Sequence, residues 1–331
     1  MSASKLFVTG ASGYIGGSAL QAIVAKHPEY QITALVRNDS QAQAVTKQFP
    51  KVKTVIGDLD SVDVLTQEAG KADLVLNFAN ADHAGAVSTL TRALKGTSGR
   101  LIHTSGTGVL HDARNGYGEP SDKVYHDVDD VQEITSLDLS QPHRDTDIAL
   151  IQGGKDNAVP TTIVCPPLIY GEGKGPVKTL STQIPLLIKH ILARGKGLKV
   201  GQGKNLWGNV HIDDLSDAYV LLVEEALKPN GGNVTWGPSG YYFIENGEHV
   251  WGDVATATTK VLQQKSHIST ADVEGLPEDE INKIQPFGAV LWGGNSRGKA
   301  QRIRALGWKP HAPDVYSTLA GTVDAHIKAS A

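Results

Sequence analysis

The sequence predicts an α/β fold, namely a Rossmann-type doubly wound parallel sheet with a smaller C-terminal substrate-binding lobe. Three observations support this prediction. Short β-branched runs alternate with helical patterns through the first half of the chain, which is typical of a sheet covered by helices on both faces. The runs are almost continuously apolar, as expected of strands buried on both sides. Finally, the segment VTGASGYIGG puts three glycines between the first strand and the first helix.

The predicted elements follow one another in regular order. Strands are expected at 6–9, 31–36, 52–56, 74–78, 100–104 and 161–166, with helices at 13–25, 40–48, 62–68, 83–94 and 145–158. The polar stretch 106–144 is expected to be a surface excursion beside the sheet. We assign 1–171 to a dinucleotide-binding domain to which 208–236 returns, and 172–207 and 237–331 mainly to the substrate-binding lobe.

Composition narrows the class of protein. The 331 residues are 40% hydrophobic and 20% charged, with a net charge of −4 and no Lys/Arg run, so we expect no nucleic-acid partner. Cys165 is the only cysteine, which excludes an intrachain disulfide and fits a reducing compartment. No signal peptide or membrane-spanning stretch is evident, so we expect a cytoplasmic location. No zinc-site or His-Glu-x-x-His spacing occurs, so we expect no metal site.

The three glycines suit a phosphate-binding turn. A strand, a glycine turn and a helix bring backbone N–H groups and the positive helix end to one point, which suits a pyrophosphate. Gly10 would permit the tight turn, Gly13 would let the backbone approach the phosphates, and Gly16 would let helix and strand pack closely. Because the turn heads a βαβ alternation, we interpret it as a dinucleotide-binding site rather than a turn without a ligand.

The end of the second predicted strand indicates which dinucleotide is bound. An acid at this position would hold the ribose 2′-OH, whereas this chain has Arg37, whose guanidinium can grip a 2′-phosphate. The carboxylate of Asp39 nearby would repel that phosphate. Because of Arg37 we favour NADP, and NAD remains the alternative. Asp58 and Leu59 follow the third strand, where an adenine ring would rest. Asp58 could instead cap the next helix.

Beyond these signals, the chain resembles the extended short-chain dehydrogenase/reductase family, which includes sugar-nucleotide epimerases and dehydratases. The resemblance is carried in order by TGASGYIGG, GDLD, NFANAD, IHTSGTG, CPPLIYGEG, NVHIDDLSDAY and ALGWKP, over almost the whole chain. It implies that Ala79 and Asn80 lie along the cofactor and that Pro166 to Leu168 lie beside the nicotinamide. With the glycine turn, the cofactor-binding candidates are Gly10, Ser12, Gly13, Tyr14, Ile15, Gly16, Arg37, Asp58, Leu59, Ala79, Asn80, Lys155, Pro166 and Leu168.

The family's catalytic serine, tyrosine and lysine are only partly matched. The resemblance assigns the lysine to Lys155, which would hold the nicotinamide ribose, but Ile151 stands four residues earlier where the tyrosine belongs. No tyrosine occurs between Tyr125 and Tyr170, and isoleucine cannot carry a proton. Gly106 occupies the serine position. The flanking hydroxyls of Ser105 and Thr107 could reach a substrate carbonyl or could serve the turn itself.

Other residues are candidates for moving a proton or holding the substrate. Tyr170 is expected near the nicotinamide at the carboxyl edge of the sheet, and His111 comes from the polar excursion. His143 and Arg144 stand at the start of the helix that carries Lys155. In the aromatic segment WGPSGYYFIENGEHVW, Tyr242 and Glu245 are the polar candidates for a substrate pocket.

These observations lead to one functional prediction and two alternatives. The prediction is a NADP(H)-dependent oxidoreductase that reduces a carbonyl, imine or enone of a small organic substrate. The first alternative binds NADP(H) without redox turnover, as a cofactor sensor or a non-redox isomerase. A sugar-nucleotide epimerase or dehydratase is the second, and it is weakened by the missing tyrosine. The sequence leaves a homodimer open and does not identify the substrate.

Overall fold

The computed structural model describes residues 3–330. Its strands are β1 Lys5–Thr9, β2 Gln31–Val36, β3 Lys53–Ile56, β4 Leu74–Asn77, β5 Arg100–Thr104, β6 Tyr125–His126, β7 Thr161–Cys165, β8 Leu168–Tyr170, β9 Gly197–Val200, β10 Leu206–His211, β11 Tyr241–Phe243, β12 Glu248–Val250, β13 Val273–Leu276 and β14 Gly298–Lys299. Its α-helices are α1 Tyr14–Lys26, α2 Asp39–Gln48, α3 Val62–Ala69, α4 Ala84–Ala93, α5 Val131–Ile134, α6 Arg144–Asn157, α7 Gln183–Arg194, α8 Ile212–Ala226, α9 Trp251–Gln264, α10 Glu278–Ile284, α11 Gly288–Gly293, α12 Arg302–Ala305 and α13 Val315–Ser330. Short 3-10 turns occupy Thr107–Leu110, Pro229–Gly231 and Gly237–Ser239.

A seven-stranded sheet organises the molecule, with strand order β11-β7-β5-β4-β1-β2-β3. All of its neighbouring strands run parallel. The order reverses between β1 and β4, so the carboxyl ends of these two strands flank a crevice, where open α/β sheets bind ligands. The predicted doubly wound parallel sheet is therefore confirmed.

Burial explains why the apolar runs became strands. Every residue of β4 and β7 is buried, and β5 is buried except at its first residue. A strand with both faces covered must be apolar throughout, because a polar side chain would lose its hydration without replacement. The helices α1 and α8 pack together on one side of the sheet and α4 and α6 on the other.

The C-terminal part builds a second hydrophobic core. Its buried side chains come chiefly from α7, β9, α9, α11 and α13, with Trp251 and Trp292 among the largest. Smaller sheets connect this core to the rest of the chain: β10 joins β8 and β12, β13 joins β9, and β14 joins β6 within the excursion. Trp207 and Leu291 of this second core line a cavity together with residues that follow β5 and β7, so the core lies beside the carboxyl edge of the main sheet.

The seventh strand of the sheet was not foreseen. Tyr241–Phe243 forms β11 and pairs in parallel with β7, so its side chains belong to the main core rather than to the lobe suggested for 237–331. Three residues are too few to give a readable alternation pattern, and here burial against β7 decides the conformation. No helix among residues 3–330 is both long and apolar enough to cross a membrane.

Candidate functional site

A groove of about 530 Å³ lies at the carboxyl ends of the first four strands. Each of these strands is followed by residues that line it. They are Gly10, Ser12 and Gly13 after β1, Arg37 after β2, Asp58 and Leu59 after β3, and Ala79 and Asn80 after β4. The structure thus brings together eight of the residues that the sequence suggested for cofactor binding.

The glycine turn explains the shape of the groove. Gly10 has a φ of +74°, and a Cβ built there would lie 2.8 Å from the backbone nitrogen of Ala79, so only glycine fits. A Cβ on Gly16 would meet the carbonyl oxygen of Gly10, so this position lets α1 approach the turn. Gly13 has an extended backbone and itself lines the groove.

The first turn of α1 supplies the groove with donors. Gly13 is the N-cap and offers no side-chain cap, and the first helical hydrogen bond runs from the N–H of Gly17 to the oxygen of Gly13, at 3.0 Å. The N–H groups ahead of it have no acceptor within the helix, and the helix dipole adds positive potential. An uncapped helix start facing a glycine-lined groove fits the pyrophosphate of a dinucleotide.

The far end of the groove carries the cation Arg37 and the acid Asp58. Arg37 is exposed there, and its backbone N–H donates to the side chain of Gln41, at 3.0 Å. Asp58 accepts from the hydroxyl of Ser61 at 2.8 Å and from the N–H of Asp60 at 3.0 Å, which lowers the pKa of its carboxyl. Asp58 therefore stabilises the turn before α3 but does not cap the helix, whose N-cap is Ser61, and it lines the groove.

A second cavity, of about 840 Å³, adjoins the groove and separates the sheet from the second core; we call it the cleft. The two cavities meet at two places. At α1, Gly13 lines the groove and Ile15 lines the cleft, and after β4, Asn80 lines the groove and Asp82 lines the cleft. Most of the cleft lining is apolar or glycine. It includes Ile15, Pro166, Pro167, Ile169, Trp207, Phe287, Val290 and Leu291, with Ser105, Thr107, His111, His143 and Gln183 among its polar members.

The loop after β5 forms one wall of the cleft. The N–H of Ser105 donates to the oxygen of Val164 at 2.8 Å, and the N–H of Thr107 to the oxygen of Pro166 at 3.0 Å, so the loop continues the pairing of β5 with β7. Ser105, Thr107 and Pro166, all predicted site residues, are thereby fixed side by side. His111, from the same excursion, lines the cleft as well.

A histidine–aspartate pair lies beside this loop in the lining of the cleft. His143, immediately before α6, has its Nδ1 2.6 Å from a carboxylate oxygen of Asp82. Its Nε2 faces Gly106 and Gly108, since a Cβ built on either glycine would lie 3.1 Å from it. Burial lowers the pKa of His143, but the hydrogen bond and charge of Asp82 raise it by more, so the net pKa lies above the ordinary 6.5.

Lys155 and Ile151 do not reach the cleft. Lys155 is exposed in the last turn of α6, three turns beyond His143, and twelve residues of helix span about 18 Å. Ile151 packs against the main core. The interpretation of Lys155 as the ribose-binding lysine therefore meets a geometric obstacle, because the other end of α6 borders the cleft.

Four other candidates are packing residues in the structure. The hydroxyl of Tyr170 donates to the oxygen of Pro313 at 2.9 Å, and burial raises its pKa above the ordinary range. The hydroxyl of Tyr14 donates to the oxygen of Gly171 at 2.7 Å and holds the loop after β8 against α1. Leu168 and Gly16 are buried and lie outside the lining of both cavities.

The two substrate candidates of the aromatic segment also lie elsewhere. Tyr242 is buried in β11, and its hydroxyl accepts from the N–H of Thr235 at 2.8 Å. Glu245 is buried, accepts from the N–H of Gly247 at 2.9 Å and lies 3.3 Å from the ammonium of Lys299. Neither lines the cleft, because β11 joins the sheet and turns this segment into the core.

Asp82 is not among the residues that the sequence indicates, and His143 is there only one of several candidates for moving a proton. Both belong to segments already noted, NFANAD and the start of α6, but nothing in their spacing links them. The available signal was position: a residue that ends a loop at a helix start, on the carboxyl edge of the sheet, faces the crevice. A lysine near the end of that helix does not.

Fold and groove together define a dinucleotide-binding α/β protein, and comparisons with known proteins identify its family. A family model described as NAD(P)H-binding matches residues 10–186, and one for the NAD dependent epimerase/dehydratase family matches 146–235. The oxidase ucsJ of an Acremonium species is 38% identical over 331 residues, covering 95% of both chains.

Solved structures agree on the fold. The dTDP-glucose 4,6-dehydratase of Bacillus anthracis, in complex with NAD, has a TM-score of 0.70 at 17% identity, covering 98% of this chain and 97% of its own. Vestitone reductase from alfalfa has a TM-score of 0.63 at 16% identity and 98% coverage of both. The chain belongs to the NAD(P)H-binding, epimerase/dehydratase-like extended short-chain dehydrogenase/reductases. It is an NAD(P)-dependent enzyme of the oxidoreductase type.

Proposed function

We propose that this enzyme is a NADP(H)-dependent oxidoreductase that reduces a carbonyl, imine or enone of a small, uncharged organic substrate. The observation that carries the proposal is the cleft, a largely apolar cavity of about 840 Å³ that adjoins the dinucleotide groove at α1 and after β4. Its volume falls in the range of small-molecule sites, and a shared boundary brings substrate and cofactor into contact.

The lining of the cleft favours an uncharged substrate. No Lys or Arg is among the cleft residues in the described part of the chain. A nucleoside diphosphate would find no Lys or Arg for its two phosphates there, although phosphate sites commonly use these side chains. The lining therefore supports a small organic molecule over the sugar nucleotides that the epimerase alternative requires.

The groove supports NADP over NAD. Arg37 is the residue after β2, and it is exposed at the groove. A guanidinium there can bind a 2′-phosphate with two parallel hydrogen bonds, whereas it gives a plain 2′-hydroxyl much less. Asp39 begins α2 two residues later, and its charge favours the helix start.

In this proposal, residues of the chain hold the cofactor and orient the substrate. NADPH, when bound, supplies a hydride to the electrophilic carbon. Gly10, Gly13 and the first turn of α1 hold its pyrophosphate, and Pro166 borders the part of the cleft nearest the loop after β5. Ser105 and Thr107 stand on either side of Gly106 in that loop and line the cleft, so their hydroxyls can orient the substrate oxygen or nitrogen.

Redox turnover is favoured over cofactor sensing. The relative that is 38% identical over nearly the whole chain is named an oxidase, and a sensor needs no cavity for a second small molecule beside the cofactor. The single buried cysteine and an acidic net charge fit a cytoplasmic enzyme acting on small molecules, which we include in the proposal.

A substrate panel tests the proposal. The protein is mixed with NADPH or NADH and with uncharged ketones, cyclic imines, enones and a nucleoside diphosphate sugar, and loss of reduced cofactor is followed with product analysis. We expect turnover with NADPH and at least one uncharged class, and none with the sugar nucleotide. NADPH binding without turnover on any class would support the sensor, and conversion of the sugar nucleotide would support the epimerase.

A further inference from the structure

The cleft contains an acid–base pair that the family resemblance does not assign. We propose that His143 is the proton donor of the hydride transfer, positioned by Asp82. The proposal rests on the proposed function and deepens it by naming the group that moves the proton.

The geometry gives each ring nitrogen of His143 a separate task. Nδ1 lies 2.6 Å from the carboxylate of Asp82, so the Nδ1 hydrogen is donated to that oxygen. Nε2 has no hydrogen-bond partner among residues 3–330 and belongs to a side chain that lines the cleft. Asp82 therefore fixes the ring orientation and leaves Nε2 available to the substrate, as in other dyads in which a carboxylate orients a histidine.

The neighbouring loop is shaped around Nε2. Gly106 and Gly108 both face it, and a Cβ on either would lie 3.1 Å from this nitrogen. Gly106 also stands beside Pro166, whose oxygen would be 3.9 Å from the same Cβ. With glycine at both positions, the His143 ring can pack close to the loop without a side chain against Nε2, and Gly106, Gly108 and His143 all line the cleft.

The backbone of His143 adds an independent indication. Its φ of 67° is in the left-handed region, which residues other than glycine rarely adopt. The residue forms no side-chain cap on α6, so helix capping does not account for this conformation. Strained residues persist where their surroundings fix them, and functional sites are a common place for them.

The charges around the ring favour its protonated form. Asp82 is hydrogen-bonded to it, and Asp145 and Asp147 on the first turns of α6 add negative potential. On the other side lies His103, whose fully buried ring has its pKa lowered to about 4 and is neutral. The guanidinium of Arg144 is turned away toward the carbonyl oxygens of Leu137 and Thr135. The net effect of these groups is to raise the pKa of His143 above the ordinary 6.5, which favours the imidazolium.

The reduction adds one hydride and one proton to the substrate. The hydride pair from NADPH forms a C–H bond at the electrophilic carbon, the π pair of the C=O or C=N bond moves to its heteroatom, and the Nε2–H bond of His143 breaks as its proton passes to that heteroatom. The substrate is reduced to an alcohol or amine, the cofactor is oxidised to NADP⁺, and neutral His143 regains a proton from water.

The kinetic test uses His143→Gln, which keeps a hydrogen-bonding side chain but cannot titrate. On the substrate found by the panel, we expect kcat to fall at least about 100-fold, the usual contribution of a positioned general acid, with the Kd for NADPH changed less than threefold. The matched control is His311→Gln, which removes a surface histidine 3.4 Å from Asp214, and it should leave kcat unchanged. A His143→Gln enzyme with wild-type kcat would overturn the proposal.

The positioning role of Asp82 is tested by pH dependence. In the reducing direction kcat should fall as pH rises through the pKa of His143. Asp82→Asn removes the charge that raises this pKa, so the alkaline limb should move to lower pH while the protein stays folded. Loss of kcat with no movement of the limb would mean that Asp82 only supports structure and would refute the pairing.

A second readout does not require turnover. Nitrogen-15 NMR of the histidine rings, with the His143 signal assigned by its absence in His143→Gln, measures the tautomer and pKa in the protein without cofactor. We expect the Nδ1–H tautomer in the neutral form and a pKa above 6.5 that falls in Asp82→Asn. An Nε2–H tautomer would overturn the dyad, whatever the panel shows. Failure of all substrates with the expected NMR result would instead count against the proposed function alone.

Discussion

At the scale of single residues, the proposed preference for NADP rests on Arg37. It is exposed at the groove after β2, and no other arginine or lysine lines the groove within residues 3–330. A hydrogen bond to a charged group contributes about 1.5–3 kcal/mol, so Arg37→Ala should weaken NADPH binding about tenfold or more and leave NADH nearly unchanged. Calorimetric titration of both cofactors measures this. Lys47→Ala, in the last turn of α2, is the control, and equal losses for NADPH and NADH would contradict the assignment.

Substitutions at Gly13 and Gly10 of the same turn should affect different properties, namely cofactor binding and stability. Gly13 has φ −87° and ψ 179°, a backbone that any residue can adopt, and its Cβ position is 3.2 Å from the oxygen of Gly10. Gly13→Val should therefore fold with a small loss of stability but lose the thermal stabilisation that NADPH gives the wild type. Gly10→Ala, at φ +74° and against the backbone of Ala79, should lower the unfolding temperature itself. The reverse pattern would show that Gly13 does not face the phosphates.

At the scale of elements, one end of α6 lies at the cleft and the other end does not. Its first turn borders the cleft through His143, and its last turn carries the exposed Lys155. Lys155→Ala should therefore change both the Kd for NADPH and kcat less than twofold. Cofactor titration and steady-state rates check this expectation. A tenfold weaker Kd would restore the ribose-binding role that the family resemblance gave to this lysine.

The sequence predicts most elements of the main sheet but not the contacts between distant segments. Six strands of the main sheet were predicted because a strand covered on both faces must be apolar, and five intervening helices because their caps and periodicity are local. The groove residues followed, since the glycine turn and strand ends are fixed by topology. The three-residue strand β11 and the contact of Asp82 with His143 depend on tertiary packing between distant segments. Without a tyrosine to anchor the family spacing, Lys155 matched by residue type alone.

At the scale of the whole molecule, the site lies where two hydrophobic cores meet. The sheet supplies the groove and one wall of the cleft, and the second core contributes Trp207 and Leu291 to the cleft lining. Cofactor recognition and substrate recognition therefore belong to different parts of the fold, and the second part can vary its lining without disturbing the glycine turn. This arrangement explains how a chain can share the fold of a sugar-nucleotide dehydratase while presenting a cleft without Lys or Arg.

Asp127 joins distant parts of the chain through one buried carboxylate. It is fully buried, and it accepts from the N–H groups of Phe243 at 3.0 Å, Gln301 at 2.8 Å and Arg302 at 3.1 Å. It thus connects the excursion, the edge strand of the sheet and α12. Burial raises its pKa to about 6, although these three hydrogen bonds oppose the shift.

This raised pKa gives a testable pH dependence of stability. Because the folded pKa lies above the unfolded value of 3.8, the folded protein holds a proton more tightly, and the resulting stabilisation is complete below pH 3.8 and lost as pH rises through about 6. Asp127→Asn cannot titrate, so the wild type should lose about 2–3 kcal/mol relative to this variant between pH 4 and pH 7. Denaturant unfolding of both proteins at the two pH values measures the difference. Since every other titrating group is common to the two proteins, parallel pH dependences would show that the Asp127 carboxyl ionises normally in the folded protein and that its three N–H donors outweigh its burial.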